Sequence, residues 1–186
     1  MPRCFVAIAL PPSLRQALTD YQRQLAQQLF DIRWSPAQNS HLTLAFLGES
    51  TEESLENRRE VMLSVGLVSP PFALTLRGVG AFPSPQRAKV LWLGVTPSPA
   101  LMRLQRRLVD GWKRAGCDDE PRPYRPHLTL GRTCHPQVLP TNLPPFYGEE
   151  FPVEEMILYE SRLGPDGASH RPRLTVPLQG AVSSEP

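Results

Sequence analysis

The chain has 186 residues, 20 basic and 18 acidic, for a formal charge of +2. It is long enough to bury a real core and too nearly neutral to be a general polyanion binder. With 40% hydrophobic and 20% charged residues, and no window near ~18 uninterrupted apolar residues, a disordered chain and a membrane-spanning helix are both excluded. Proline is in excess at 22 residues, about 12% against a usual ~5%, which demands many punctuated connections. Only Lys89 and Lys113 are lysines, which leaves 18 arginines. Such a bias arises from genomic base composition or from phosphate recognition, since guanidinium forks match phosphate oxygens bidentately. Cys4, Cys117 and Cys134 are odd in number and have no C-x-x-C spacing, which argues against a disulfide framework and a zinc knuckle. The apolar run at the N-terminus is too short for a signal peptide, and a cytoplasmic location is expected.

Residues 4–10 form a short apolar run stopped by Pro11-Pro12, the pattern of a buried strand feeding a helix. Leu14, Leu18, Tyr21, Leu25 and Leu29 then recur as the stripe of one helix face. After a polar connection, His41–Leu47 alternates as a strand. Ser50 with Glu53 resembles a capping box opening a helix through about Val65. Strands are expected at Phe72–Val79 and Val90–Val95, separated by Pro83-Ser84-Pro85. Ser98-Pro99 supplies a cap and first-turn proline ahead of Leu101, Leu104, Leu108 and Trp112, with Gly116 as the stop. Strands at His127–Thr133, Met156–Ser161 and Leu174–Leu178 complete the pattern around a proline-rich loop at 140–145. Residues 1–178 are expected to form a single two-lobed domain, and 179–186 a short frayed tail.

His-Leu-Thr-Leu occurs at 41–44 and again at 127–130, 86 residues later, and uses two of only four histidines. The same offset carries the opening strand onto Leu91–Val95 and Pro11-Pro12-Ser13 onto Pro97-Ser98-Pro99. Both halves therefore read strand, proline-marked helix start, helix and motif strand. The expected fold class is α+β and bilobal. Its two lobes are related by a pseudo-two-fold, each with an antiparallel sheet and helices on one face, and a central cleft carries the motifs.

Along a strand, histidine and threonine share one face and the leucines the other. Two imidazoles converging on one cleft suit general acid and base catalysis, and threonine hydroxyls suit phosphate oxygens. A metal site would need carboxylates or cysteines beside the histidines, and neither segment contains one. Cys134 and His135, just after the second, read as a loop coincidence, so no metal is assigned.

The paired motifs, Phe5–Ile8, Ala45–Glu49, Val90–Gly94 and Arg125–Arg132 together resemble the two-histidine phosphoesterases. Among these the chain is most similar to the RNA 2′,3′-cyclic phosphodiesterases, also called 2′-5′ RNA ligases, from about residue 3 to residue 178. The resemblance implies metal-independent, cofactor-free hydrolysis of a terminal 2′,3′-cyclic phosphate to a 2′-phosphomonoester, with 2′-5′ ligation as a lesser activity. By the same resemblance His41 is the proton donor, His127 the proton acceptor, and Thr43 and Thr129 hold phosphate oxygens. The sequence alone cannot assign the two histidine roles, because the segments are identical. The family's Phe-His-Pro-His before the second motif is Tyr124-Arg125-Pro126-His127 here, and Tyr124 is a candidate substrate contact. Arg132 matches a family arginine expected near the phosphate, yet strict alternation from His127 puts it on the leucine face. Either a bulge re-aims it or it is structural.

The expected partner is RNA with a 2′,3′-cyclic phosphate end, or a small cyclic nucleotide, and no membrane; a monomer is expected. Alternatives are ADP-ribose 1″,2″-cyclic phosphate or 2′-5′ oligoadenylate as substrate, or a noncatalytic RNA-end-binding module using arginines, Tyr124, Trp34 and Phe46. The same alternation places Phe46 in the core.

Overall fold

A computed structural model describes residues 2–117, 123–164 and 167–181. Its strands, in chain order, are β1 Arg3–Ala9, β2 Ile32–Trp34, β3 His41–Glu49, β4 Phe72–Leu74, β5 Leu76–Phe82, β6 Ala88–Val95, β7 His127–Gln137, β8 Phe151–Val153, β9 Glu155–Gly164 and β10 Gly167–Pro177. The helices are α1 Pro12–Leu25, α2 Glu52–Val68 and α3 Pro99–Arg114. Two four-stranded antiparallel sheets, β10-β9-β1-β3 and β2-β7-β6-β5, carry the architecture, with a short β4-β8 pair beside them. This is the α+β class expected from the sequence, and no helix among the described residues is long and apolar enough to cross a membrane.

β1 is central in the first sheet, between β9 and β3, and every residue from Cys4 to Ile8 is buried, whichever face it points to. That is why it reads as a continuous apolar run rather than an alternation. Pro11 and Pro12 end it and open α1, whose Leu14, Leu18, Tyr21 and Leu25 are buried. The helix stops at Leu25, so Leu29 is buried from the following turn instead of extending the stripe. In α3, Ser98 Oγ accepts from Leu101 N–H at 3.3 Å, Pro99 opens the first turn, and Gly116 lies at φ 73° just beyond the end.

The cap of α2 is Thr51, one residue after the expected Ser50, and its hydroxyl accepts from Ser54 N–H at 3.1 Å. Ser50 is instead held by β3, which extends to Glu49; its N–H donates to the Pro2 carbonyl. The helix also continues past Val65 to Val68. The run expected as one strand at 72–79 divides into β4 and β5, which pair with β8 and β6 respectively. β2 and β8, at three residues each, are too short to show a period in the sequence. β7 runs on to Gln137, so Cys134 and His135 lie in a strand and not in a loop. The expected frayed tail is pinned at its start, since Gln179 and Gly180 N–H groups donate to the Gly66 and Ser69 carbonyls. Residues 182–186 lie outside the described residues.

The helices cross over between sheets. α1 follows β1 of the first sheet, yet its Gln22 Nε2 donates to the Leu130 carbonyl of β7 at 2.9 Å, in the second. Tyr21 packs its ring on Phe146 and donates its hydroxyl to the Pro144 carbonyl at 2.6 Å. α3 follows β6 of the second sheet and packs on α2 and β3. Trp112 Nε1 donates to the Arg58 carbonyl of α2 at 3.2 Å. Most of the buried apolar residues accordingly form one cluster running from Cys4 to Leu178. Replacing Thr51 with Ala should lower the urea-unfolding free energy by about 1 kcal/mol through loss of the α2 cap, with Ser50→Ala costing less.

Candidate active site

Leu42, Leu44, Leu128 and Leu130 are at most 1% exposed. Each such burial is worth roughly 1.5–3 kcal/mol, which fixes the leucine faces of β3 and β7 toward the core. His41, Thr43, His127 and Thr129 then stand partly exposed on the opposite faces, and β3 and β7 are neighbours.

Each motif strand has, among its irregularities, an extra residue at the same place in the motif. In the first sheet Thr43 pairs with Ala7 and Ala45 with Val6, leaving Leu44 unopposed. In the second, Thr129 pairs with Trp92 and Gly131 with Leu91, leaving Leu130 unopposed. Past each bulge the alternation is reset. Phe46, opposite Phe5, and Arg132, opposite Val90, therefore emerge on the histidine-threonine face. This corrects the placement of Phe46 in the core: it is 71% exposed. Of the two alternatives for Arg132, it is the bulge that holds, and the exposed guanidinium shares the face of His127 and Thr129. The pairing also shows that the partner strands are offset by 85 rather than 86 residues, since Ala9 and Gly94 oppose the two histidines.

Both imidazoles are oriented by the same device. His41 Nδ1 lies 2.8 Å from the Asn39 carbonyl, and His127 Nδ1 lies 2.7 Å from that of Arg125, each two residues upstream. A carbonyl only accepts, so Nδ1 carries the proton and donates, leaving Nε2 of each ring as the free nitrogen. Across the strands, the Tyr124 hydroxyl donates to the Thr43 carbonyl at 3.1 Å, tying the segment before the second motif to the first. Burial pushes the Tyr124 phenol well above its ordinary range, so it stays a neutral donor.

The profile of the 2′-5′ RNA ligase superfamily matches residues 6–165. The chain belongs to that superfamily. A relative from Escherichia coli K12 named RNA 2′,3′-cyclic phosphodiesterase is 36% identical over 163 residues, 86% of each chain. One of the same name from Geobacillus stearothermophilus is 28% identical over 165 residues, 86% of this chain, which spans only 52% of that relative's length. The crystal structure of Escherichia coli LigT complexed with 3′-AMP superposes with a TM-score of 0.80 at 30% identity, covering 95% of this chain and 98% of that one. The family expected from the doubled motif is the one found.

Within this superfamily fold the two identical motifs sit in different surroundings. His41 stacks on Phe5 at 4.5 Å between ring centroids and meets the edge of His170 at 5.1 Å, with Tyr159 at 6.2 Å. Burial in that aromatic cluster lowers its pKa to about 4, against the upward pull of the Asn39 carbonyl, and His170 adds a smaller lowering. His127 instead meets Phe82 edge-on at 4.9 Å. Phe82 in turn contacts Trp92, for which Gly80 makes room, because a Cβ there would lie 2.2 Å from the indole. Phe82, Tyr159 and His170 escape a reading of the sequence because they come from strands with no motif, and nothing in the opening run marks Phe5 as a neighbour of His41. The only available signal is that His170 is one of four histidines. Among the described residues no three His, Cys, Asp or Glu side chains are grouped as a metal site.

The unfolded chain protonates His41 near the ordinary value of 6.5, and the folded chain only near about 4. Between those values the unfolded state binds more protons, so stability falls as pH falls, by up to roughly 3 kcal/mol from this group. Urea unfolding at pH 7 and pH 4 should show this loss, and His41→Gln should shrink it.

Proposed function

We propose that this protein hydrolyses 2′,3′-cyclic phosphates at RNA ends, or on nucleosides, to 2′-phosphomonoesters, with His41 and His127 as its catalytic pair. The observation that carries the proposal is the matched presentation of two free Nε2 atoms on neighbouring bulged strands, each beside a threonine two residues on. The shared superfamily and relatives of this name support the same reading.

The cyclic phosphate lies between the motifs, its nonbridging oxygens accepting from the Thr43 and Thr129 hydroxyls and from Arg132. His127 Nε2 accepts a proton from water as its oxygen attacks phosphorus opposite O3′. The P–O3′ bond breaks, and O3′ takes the proton of His41 Nε2. The bond from O2′ to phosphorus survives, so the product is a 2′-phosphate with a free 3′-hydroxyl. Tyr124 acts through the Thr43 carbonyl rather than on substrate. With a 5′-hydroxyl of a second RNA in place of water, the same steps give a 2′-5′ linkage as a side activity.

His41 must be protonated to serve as the donor, yet burial keeps it neutral at pH 7 in the free protein. The anionic phosphate supplies the missing stabilisation of the imidazolium. His41 ring resonances should therefore titrate near pH 4 in the free protein and at distinctly higher pH with inorganic phosphate or 2′-AMP bound. No upward shift would sink its assignment as donor.

His41→Ala and His127→Ala should each cut turnover of a 2′,3′-cyclic nucleotide by ~10²- to 10⁴-fold while the protein stays folded. Turnover should survive excess chelator and yield the 2′-phosphate. A 3′-phosphate product, a requirement for divalent metal, or wild-type rates in both variants would overturn the reading.

A further inference from the structure

β2 has no counterpart in the first sheet, where β3 is left as an edge, whereas in the second sheet β2 lies beyond β7. Of its three residues, Ile32 and Trp34 pack against the core and only Arg33 is exposed. Arg33 pairs directly with Arg132. Residues directly opposite in an antiparallel pair share a face with Cβ atoms ~4.5–5.5 Å apart, and like charges there repel. No carboxylate among the described residues pairs with either guanidinium.

The juxtaposition is held rigidly. The Leu130 carbonyl at the bulge accepts from Ser35 N–H at 2.9 Å and from Gln22 Nε2 at 2.9 Å, and Gln22 Nε2 also reaches the Ser35 carbonyl at 2.8 Å. Gly131 lets β2 approach: a Cβ there would lie 2.9 Å from the Ile32 side chain and 3.0 Å from the Arg33 carbonyl. Two like charges are thus fixed side by side with no counterion among the described residues, an arrangement that an anion stabilises.

The pair lies past the end of the catalytic constellation. Counting four pleated steps of ~3.3 Å, with Leu130 looped out, Arg132 stands about 13 Å along β7 from His127. Its long side chain can turn back to the terminal phosphate, while Arg33, one strand farther out, faces beyond it. We infer that Arg33, beside Arg132, binds the phosphodiester preceding the terminal nucleotide, so that the site selects the end of an RNA strand over a lone cyclic nucleotide. This rests on the proposed phosphodiesterase reading and assigns Arg33 as a specificity residue.

The experiment compares kcat/KM for adenosine 2′,3′-cyclic phosphate with that for a short oligoadenylate ending in a 2′,3′-cyclic phosphate, in the wild type and in Arg33→Gln. A charge-assisted contact of this kind is worth ~10- to 100-fold. The wild type should favour the oligomer by such a factor. Arg33→Gln should lose about tenfold or more on the oligomer, keep wild-type turnover of the mononucleotide, and show a shallower salt dependence on the oligomer, by ~0.7 in log–log slope. The unchanged mononucleotide rate also reports that the variant is folded. Equal use of the two substrates by the wild type, an undiminished preference in Arg33→Gln, or an equal fall on both substrates overturns the inference. Failure of the wild type to hydrolyse either substrate would instead sink the phosphodiesterase reading itself.

Discussion

The extra residue in each motif strand, Leu44 in β3 and Leu130 in β7, is the constraint on which the site depends. A strand without it would present histidine, threonine and the next alternate residue, and would turn Phe46 and Arg132 into the core. The bulge forfeits regular ladder hydrogen bonding, worth about 1 kcal/mol per bond, but keeps the inserted leucine buried. Leucine burial at roughly 1.5–3 kcal/mol outweighs that loss. At Leu130 the displaced carbonyl also recovers partners in Ser35 and Gln22. The same backbone irregularity thereby extends each polar face by one long side chain, an aromatic on β3 and a guanidinium on β7.

The two sides are alike in backbone and unlike in chemistry. Both imidazoles give Nδ1–H to a carbonyl two residues upstream, an arrangement contained in the chain next to each motif. Their environments come from elsewhere. Phe5 on β1, Tyr159 on β9 and His170 on β10 enclose His41, while Phe82 on β5 meets only the edge of His127. Desolvation disfavours the charged imidazolium, so the enclosed histidine resists protonation. A pair of identical tetrapeptides thus stands in two different environments, one imidazole enclosed by three rings and the other met edge-on by Phe82.

The exchange of helices keeps this geometry in one piece. α1 starts in the first sheet and reaches the bulge of the second through Gln22, and α3 starts in the second and packs against α2 and β3. Tyr124 adds a hydrogen bond from the second motif's approach to the Thr43 backbone. The sheets consequently share one buried cluster, and movement of one motif strand relative to the other would disrupt packing on both sides. Pseudo-symmetry and its violation both matter here, because β2, the strand without a counterpart, is what sets Arg33 beside Arg132.

The α+β class, the order of the longer elements, and the four motif side chains were legible in the sequence. They depend on local periodicity, on proline and cap chemistry, and on an internal repeat, all of which act over a few residues or a fixed offset. The short strands were not, since three residues carry no period and Ile32–Trp34 become a strand only by lying along β7. The cap of α2 shifted from Ser50 to Thr51 because β3 kept its pairing through Glu49. Simple alternation hid Phe46 because it assumes an unbroken ladder, and a bulge is defined only by the partner strand. The sequence by itself therefore determined which groups are the candidates for chemistry. Only the tertiary structure decided which way Phe46 and Arg132 face, which histidine is desolvated, and which arginines meet, because each depends on pairing and burial between segments far apart in the chain.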